Sequence, residues 1–243
     1  MEQCSVNNNR LLTILTRDHG IVRCFLKESR RNDPMFVSST GVLSYSVFSL
    51  YEGRSGYQLD EAVGIEVFYG MMCDIRKLSL AQYCCELAMR VIPEGNGEPE
   101  YLSLFLNTLY LLDRSQVSEL VIKSVFELRL LSLAGFMPDV VGCRGCGIYE
   151  DDRFYFDTVN ACLWCDRCCP EDRKRIPINR AVLNGLRTAV LAEPKKIFSF
   201  QVTVKDIPVL ADLSEEYALM VAETTFGTLD YYKKLRDWEN RKQ

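Results

Sequence analysis

The chain has 243 residues, 48% of them hydrophobic, with 29 lysines and arginines against 33 acids and a formal net charge of -4. That is ample apolar material for one large core or two to three small ones. No apolar run reaches the length of a membrane span and no basic N-terminal region leads into an apolar stretch, so neither a spanning helix nor a secretory leader is expected. The single histidine, His19, sits in Asp18-His19-Gly20, and no phosphate-cradling or dinucleotide glycine motif occurs. Nucleophilic triads and nucleotide hydrolysis therefore lack their residues, and a non-enzymatic protein is expected.

The first third reads as β-structure. Leu11 to Thr16 is an apolar, β-branched run that turns at Asp18-His19-Gly20 into Ile21 to Lys27. A polar loop, Glu28 to Ser39, leads to Gly41–Tyr51, rich in valine, tyrosine, phenylalanine and serine. Glu52-Gly53-Arg54-Ser55-Gly56 is a hairpin loop before Tyr57–Glu66. Four strands with short turns predict a small antiparallel barrel or sandwich. Helical spacing follows over Leu78–Ile92, Pro99–Leu112 and Gln116–Ala134, the last apolar nearly all round and so expected at the centre of a core. After a cysteine-rich segment, Val140 to Pro170, helices resume at Arg180–Leu191 and from Val209 to about Phe226. The charged end, Lys233 to Gln243, is expected to fray. The fold class expected is α+β, with residues 1–70 forming the barrel and 71–243 a helical domain that carries the cysteine segment.

Within that segment Cys143-x2-Cys146 and Cys165-x2-Cys168 are separated by 18 residues. Two such turns present four thiolates to one point, which is what a tetrahedral zinc ion needs, and the spacing suits a structural site. Gly147 follows the first pair, where the turn calls for a positive φ. Cys162-x2-Cys165 is a competing second pair, and Cys169 abuts Cys168, so cysteine arithmetic leaves the ligand choice open. A closed four-cysteine site has no free coordination position and supports architecture rather than catalysis. The other cysteines, Cys4, Cys24, Cys73, Cys84 and Cys85, are expected as buried thiols. Eleven cysteines without an export signal predict a reducing, cytoplasmic setting.

Charge is segregated along the chain. Residues 1–31 carry Arg10, Arg17, Arg23, Lys27, Arg30 and Arg31 against three acids. Residues 171–205 carry eight cations, Lys195 and Lys196 among them, against three acids; residues 206–232 hold six acids and no lysine or arginine. An OB-fold is the versatile small barrel for oligomeric ligands, and its open face takes single-stranded nucleic acid. The first basic set lies on or beside the strands, with Tyr45, Tyr51 and Tyr57 available for stacking. The plainer alternative is that the tyrosines fill the barrel and the arginines cover a solvated face.

Arg10-Leu-Leu-Thr-Ile-Leu-Thr-Arg-Asp-His-Gly20 resembles the opening hairpin of the RecO family of bacterial recombination mediators. Leu50-Tyr-Glu-Gly-Arg54, Tyr57-Gln-Leu-Asp-Glu61-Ala62, Phe126-Glu-Leu-Arg-Leu-Leu131, Ala134-Gly-Phe-Met-Pro138, Ile176-Pro177 and Lys195-Lys196-Ile197-Phe198 follow in the family's order around the cysteine pairs. The resemblance runs from about Arg10 to Leu235. It implies an N-terminal OB-fold and a helical domain with a zinc finger ligated by Cys143, Cys146, Cys165 and Cys168; where the family has its first strand this sequence has only Met1–Val6, so either the start is late or that strand is shortened. It also implies binding of single- and double-stranded DNA, annealing of complementary strands and, with RecR, loading of RecA onto gaps coated by single-strand-binding protein (SSB), in the bacterial cytoplasm at the nucleoid. On this reading Arg17, Arg23, Lys27, Arg30 and Arg31 meet phosphates with help from Lys195 and Lys196, and Lys123 and Arg129 offer cations to the acidic C-terminal tail of SSB. The alternative is a zinc-stabilised interaction adaptor that does not bind DNA; a redox role for the C-x2-C pairs lacks a thioredoxin-like βαβ pattern.

Overall fold

The computed structural model describes residues 2–6, 9–27, 33–54, 56–95, 97–170 and 176–241. They form two compact units, Met1–Ser115 with Phe226–Gln243, and Gln116–Thr225. This division differs from the expected boundary at residue 70, because the helices that follow the strands, and the last helix of the chain, belong to the same unit as the sheet.

In the first unit, β1 (Glu2–Val6), β2 (Asn9–Leu15), β3 (Ile21–Leu26), β4 (Ser44–Gly53) and β5 (Gly56–Val67) form one sheet in the order β1-β2-β3-β5-β4. All neighbours are antiparallel except β3 and β5, which pair in parallel at Cys24↔Tyr57 and Phe25↔Gln58. A short helix, α1 (Pro34–Ser39), lies between β3 and β4 in sequence, within a stretch expected to be loop. This order and the parallel pair are those of an OB-fold left open, since among the described residues no pairing joins β1 to β4. β1 pairs with β2 from Glu2↔Thr13 to Val6↔Asn9. Strand alternation turns Leu12, Cys24, Leu26 and Leu59 inward, and the register shift between Ser49 and Leu50 brings Ala62 onto the same face, where Phe36 of α1 joins them and Ile14, Phe48 and Leu50 pack alongside.

The same unit holds α2 (Tyr69–Met72), α3 (Ile75–Val91), α4 (Pro99–Arg114) and α8 (Gly227–Asn240). The Asp74 carboxylate caps α3 by accepting from the amides of Arg76 at 3.0 Å and Lys77 at 3.2 Å. Helix α8 continues to Asn240, through most of the stretch expected to fray. Leu229 and Tyr232, three residues apart on α8, are buried. Phe226 meets Tyr83 edge-on at 5.4 Å, Thr228 donates to Glu86 at 2.8 Å, and Arg76 pairs with Glu239 at 2.5 Å.

In the second unit, α5 (Glu119–Leu133) is buried on almost every side and packs against α6 (Arg180–Leu191) and α7 (Ile207–Ala222). Between α5 and α6 a small sheet is built from β6 (Asp139–Cys143), β7 (Phe154–Asp157), β8 (Cys162–Cys165) and β9 (Ile176–Ile178), in the order β6-β8-β7-β9. Among the described residues no helix is long and apolar enough to cross a membrane.

Candidate functional site

The small sheet explains why the cysteines converge. β6 and β8 run parallel, with Cys143 opposite Leu163, and each strand ends on a cysteine that opens a tight turn. Both turns therefore form at the same end of the sheet. The amide of Gly147 donates to the carbonyl of Cys143 at 2.8 Å, and that of Cys168 to Cys165 at 3.1 Å. Gly147 has φ 73°, the left-handed value expected from its place after the first pair. The sulfurs of Cys143, Cys146, Cys165 and Cys168 all lie within 4.8 Å of one another, so this group could hold a metal ion.

The donor set fits zinc. Cys146 Sγ and Cys165 Sγ are 3.7 Å apart. A disulfide needs about 2.05 Å, whereas a tetrahedron with Zn–S bonds of about 2.3 Å has edges of roughly 3.8 Å. The amides of Gly145 and Cys165 each donate to Cys143 Sγ at 3.3 Å. Burial pushes the Cys143 thiol up, but amide donors from Cys165, Cys146 and Gly145 outweigh it and bring the group down to about 6. Cys168 moves the other way, to about 12, because it shares hydrogen bonds with Cys146 and Cys165. A divalent ion would be held by all four as thiolates.

Cys162 stands apart, and the reason is the strand. Cys162 to Cys165 is extended backbone, about 3.3 Å per residue with side chains on alternate faces, so residues three apart point to opposite sides. Cys162 is fully buried, hydrogen-bonded by the Arg144 side chain, and its thiol is raised chiefly by burial. Of the remaining described thiols, Cys24, Cys84 and Cys85 are buried as expected, while Cys73 is exposed.

One residue that the sequence did not mark ties the metal segment to the helices. Arg187 of α6, 8% exposed, donates from Nε to the Val140 carbonyl at 2.8 Å and from Nη2 to those of Val141 and Tyr149 at 2.7 Å each. Its guanidinium also lies 3.9 Å from the centre of the Tyr149 ring. Arg187→Lys keeps the charge but loses the planar fork. It should cost about 1.5–3 kcal/mol of stability in urea unfolding and speed the transfer of metal to a chelating dye.

The open sheet carries a second candidate. A groove of roughly 1020 Å³ runs along β2, β3, β4 and β5 and is closed on one side by Leu102, Phe105, Leu106 and Leu109 of α4. Arg17, Arg23, Tyr45 and Tyr57 line it. Arg17 is exposed, 3.8 Å from Asp18; Arg23 is exposed and paired with Glu94 at 2.8 Å; Lys27 sits 5.6 Å over the ring of Tyr51. Arg30 and Arg31 lie outside the described residues. Lys195 and Lys196 are exposed in the other unit, with Lys196 paired to Glu193 at 3.1 Å. The α4 side chains and Glu94 were not anticipated, because they come from segments that read only as a core helix and a glycine-rich connection.

Lys123 is not where a partner's carboxylates could meet it as expected. Lys123 is 1% exposed and bonds Glu127 at 3.0 Å, Glu215 at 3.0 Å and the Ala211 carbonyl at 3.3 Å. The nearly all-round burial of α5 forces its charges to pair within the fold. Arg129 is half-buried and donates to the Val190 carbonyl at 2.7 Å.

Residues 72–220 match the family model described as Recombination protein O C terminal. The chain is 31% identical over 227 residues to the DNA repair protein RecO of Acetivibrio thermocellus, covering 93% of this chain and 90% of that protein. It is 26% identical over 226 residues to the DNA repair protein RecO of Alkaliphilus metalliredigens, covering 93% and 92%. A third relative of the same name, from Desulforudis audaxviator, is 32% identical over 178 residues.

Proposed function

Since the chain belongs to the RecO family and its role lies in DNA repair and recombination, we propose that it is a non-enzymatic mediator. It binds single- and double-stranded DNA, anneals complementary strands and, with RecR, promotes loading of RecA on strands coated by SSB. The observation that carries this reading is the groove on the open sheet, which combines an apolar floor, two tyrosines and two arginines. Such a groove can stack unpaired bases while cations neutralise the backbone, and mediation needs no catalytic residue. Arg17, Arg23, Lys27, Arg30 and Arg31 are the proposed phosphate contacts, with Lys195 and Lys196 as auxiliaries. RecR and the SSB tail remain the proposed partners, without a role for Lys123. Cys143, Cys146, Cys165 and Cys168 are proposed to hold one zinc ion, which braces the small sheet and, with all positions filled by sulfur, leaves none for chemistry.

The test is the salt dependence of binding to a labelled oligonucleotide. If about four phosphates are neutralised, the log-log slope on single strands should be roughly -3. Replacing Arg30 and Arg31 together by alanine should flatten it by about 1.4. An unchanged slope would assign these two to a solvated face. The negative net charge and the exposed Val47, Val63 and Ile65 on β4 and β5 favour the second reading, an interaction adaptor. A parent protein that binds no DNA at low salt would establish it.

A further inference from the structure

We propose that Glu94 is a built-in competitor for phosphate, a carboxylate held at Arg23 so that DNA must displace it to use that cation. The inference rests on the DNA-binding reading above and adds a residue that sets the strength of binding.

Glu94 is held in place by its backbone. It bridges both Gly20 and Ile21 at the start of β3, and the amide of Gly95 donates to the Ile21 carbonyl at 3.4 Å. Gly97 presses against the β2–β3 turn so closely that a Cβ there would lie 2.1 Å from the Gly20 nitrogen and 2.6 Å from that of His19. Only glycine permits this approach. The connection before α4 is therefore seated on the turn between β2 and β3, and the Glu94 carboxylate needs little ordering to reach the Arg23 guanidinium at 2.8 Å. Both residues line the groove.

The pair is also weak enough to open. Its side chains are 56% and 59% exposed, and such pairs contribute little in water. A phosphate entering the groove exchanges one anion for another at Arg23, so fewer counterions are released than the count of cations implies. Arg17 is matched in the same way, though more loosely, by Asp18 at 3.8 Å. Binding that is thus moderated suits a protein that must hand its strand on.

The experiment measures the affinity of the full chain for fluorescein-labelled oligo-dT at several salt concentrations, using the parent, Glu94→Gln, Arg23→Ala, the double variant and Glu100→Gln. Glu100 is an exposed acid in the first turn of α4 and controls for net charge. Glu94→Gln should bind about two- to fivefold more tightly at low salt and steepen the slope by about 0.7. The double variant should bind like Arg23→Ala, and Glu100→Gln like the parent. Equal binding by Glu94→Gln and parent would overturn the proposal, as would a gain that survives in the Arg23→Ala background or is matched by Glu100→Gln. A parent that binds no oligonucleotide would instead remove the DNA-binding reading and this inference with it.

Discussion

Replacing Cys143 by serine should abolish metal binding and unfold the small sheet of residues 139–178, and no other single change is expected to cost as much. The sheet has strands of only three to five residues, and its parallel β6–β8 pair has no hairpin to hold its register. Cys143 ends β6 and also receives the amides of Gly145 and Cys165 on its sulfur. Binding of structural zinc in small finger peptides is worth about 10–16 kcal/mol near neutral pH, far above what this sheet can recover by packing Phe154, Phe156 and Leu163. Metal analysis should give one zinc per chain for the parent and for Cys162→Ser, and none for Cys143→Ser. Near-ultraviolet circular dichroism should lose the signal of Trp164, which sits in β8. Zinc retained in Cys165→Ser but lost in Cys162→Ser would reverse the ligand assignment.

The second large effect is expected at Lys123. Its ammonium serves Glu127, which is 0% exposed, and Glu215, which is 15% exposed. Ser214 donates to the same Glu127 carboxylate at 2.6 Å. Lys123→Met removes the cation and leaves that carboxylate buried, which should cost about 3–5 kcal/mol. Lys123→Met with Glu127→Met should recover most of the loss, because a well-packed apolar pair commonly matches a buried ion pair. In a Trp238→Phe background Trp164 is the remaining tryptophan and reports urea unfolding of its own unit. A loss below about 1 kcal/mol in the single variant would show that the ammonium contributes little beyond its volume.

Local chemistry was legible and long-range pairing was not. The strands around Leu12 and Leu59, the helices at Pro99 and Arg180 and the presence of two C-x2-C pairs follow from periodicity, caps and spacing, each contained within a few turns of chain. Spacing alone left Cys162 and Cys168 open and the family resemblance pointed to Cys168; in the fold Cys162–Cys165 is extended, whereas C-x2-C chelates only as a turn. Helix α8 was obscured because many charges surround the two residues, Leu229 and Tyr232, that anchor it. Lys123 reads as a surface cation until Glu215 of α7 is brought to it. Arg187 could not be identified from sequence, since its partners are backbone carbonyls, which every residue has.

The unit that contains the open sheet is interrupted in sequence: it comprises residues 1–115 and 226–243, with the whole of the other unit encoded in between. On the ribosome this sets an order of events. The sheet and α3 emerge first, but α3 lacks its partner until α8, whose Leu229 and Tyr232 are buried, is made. At about 5–20 residues per second the wait is on the order of ten seconds, during which the α3 surface that later receives α8 is bare. The intervening unit can mature in that interval, so it is expected to fold before α3 and α8 meet. A nascent-chain proteolysis series should find residues 116–225 protected while α3 is still cleavable.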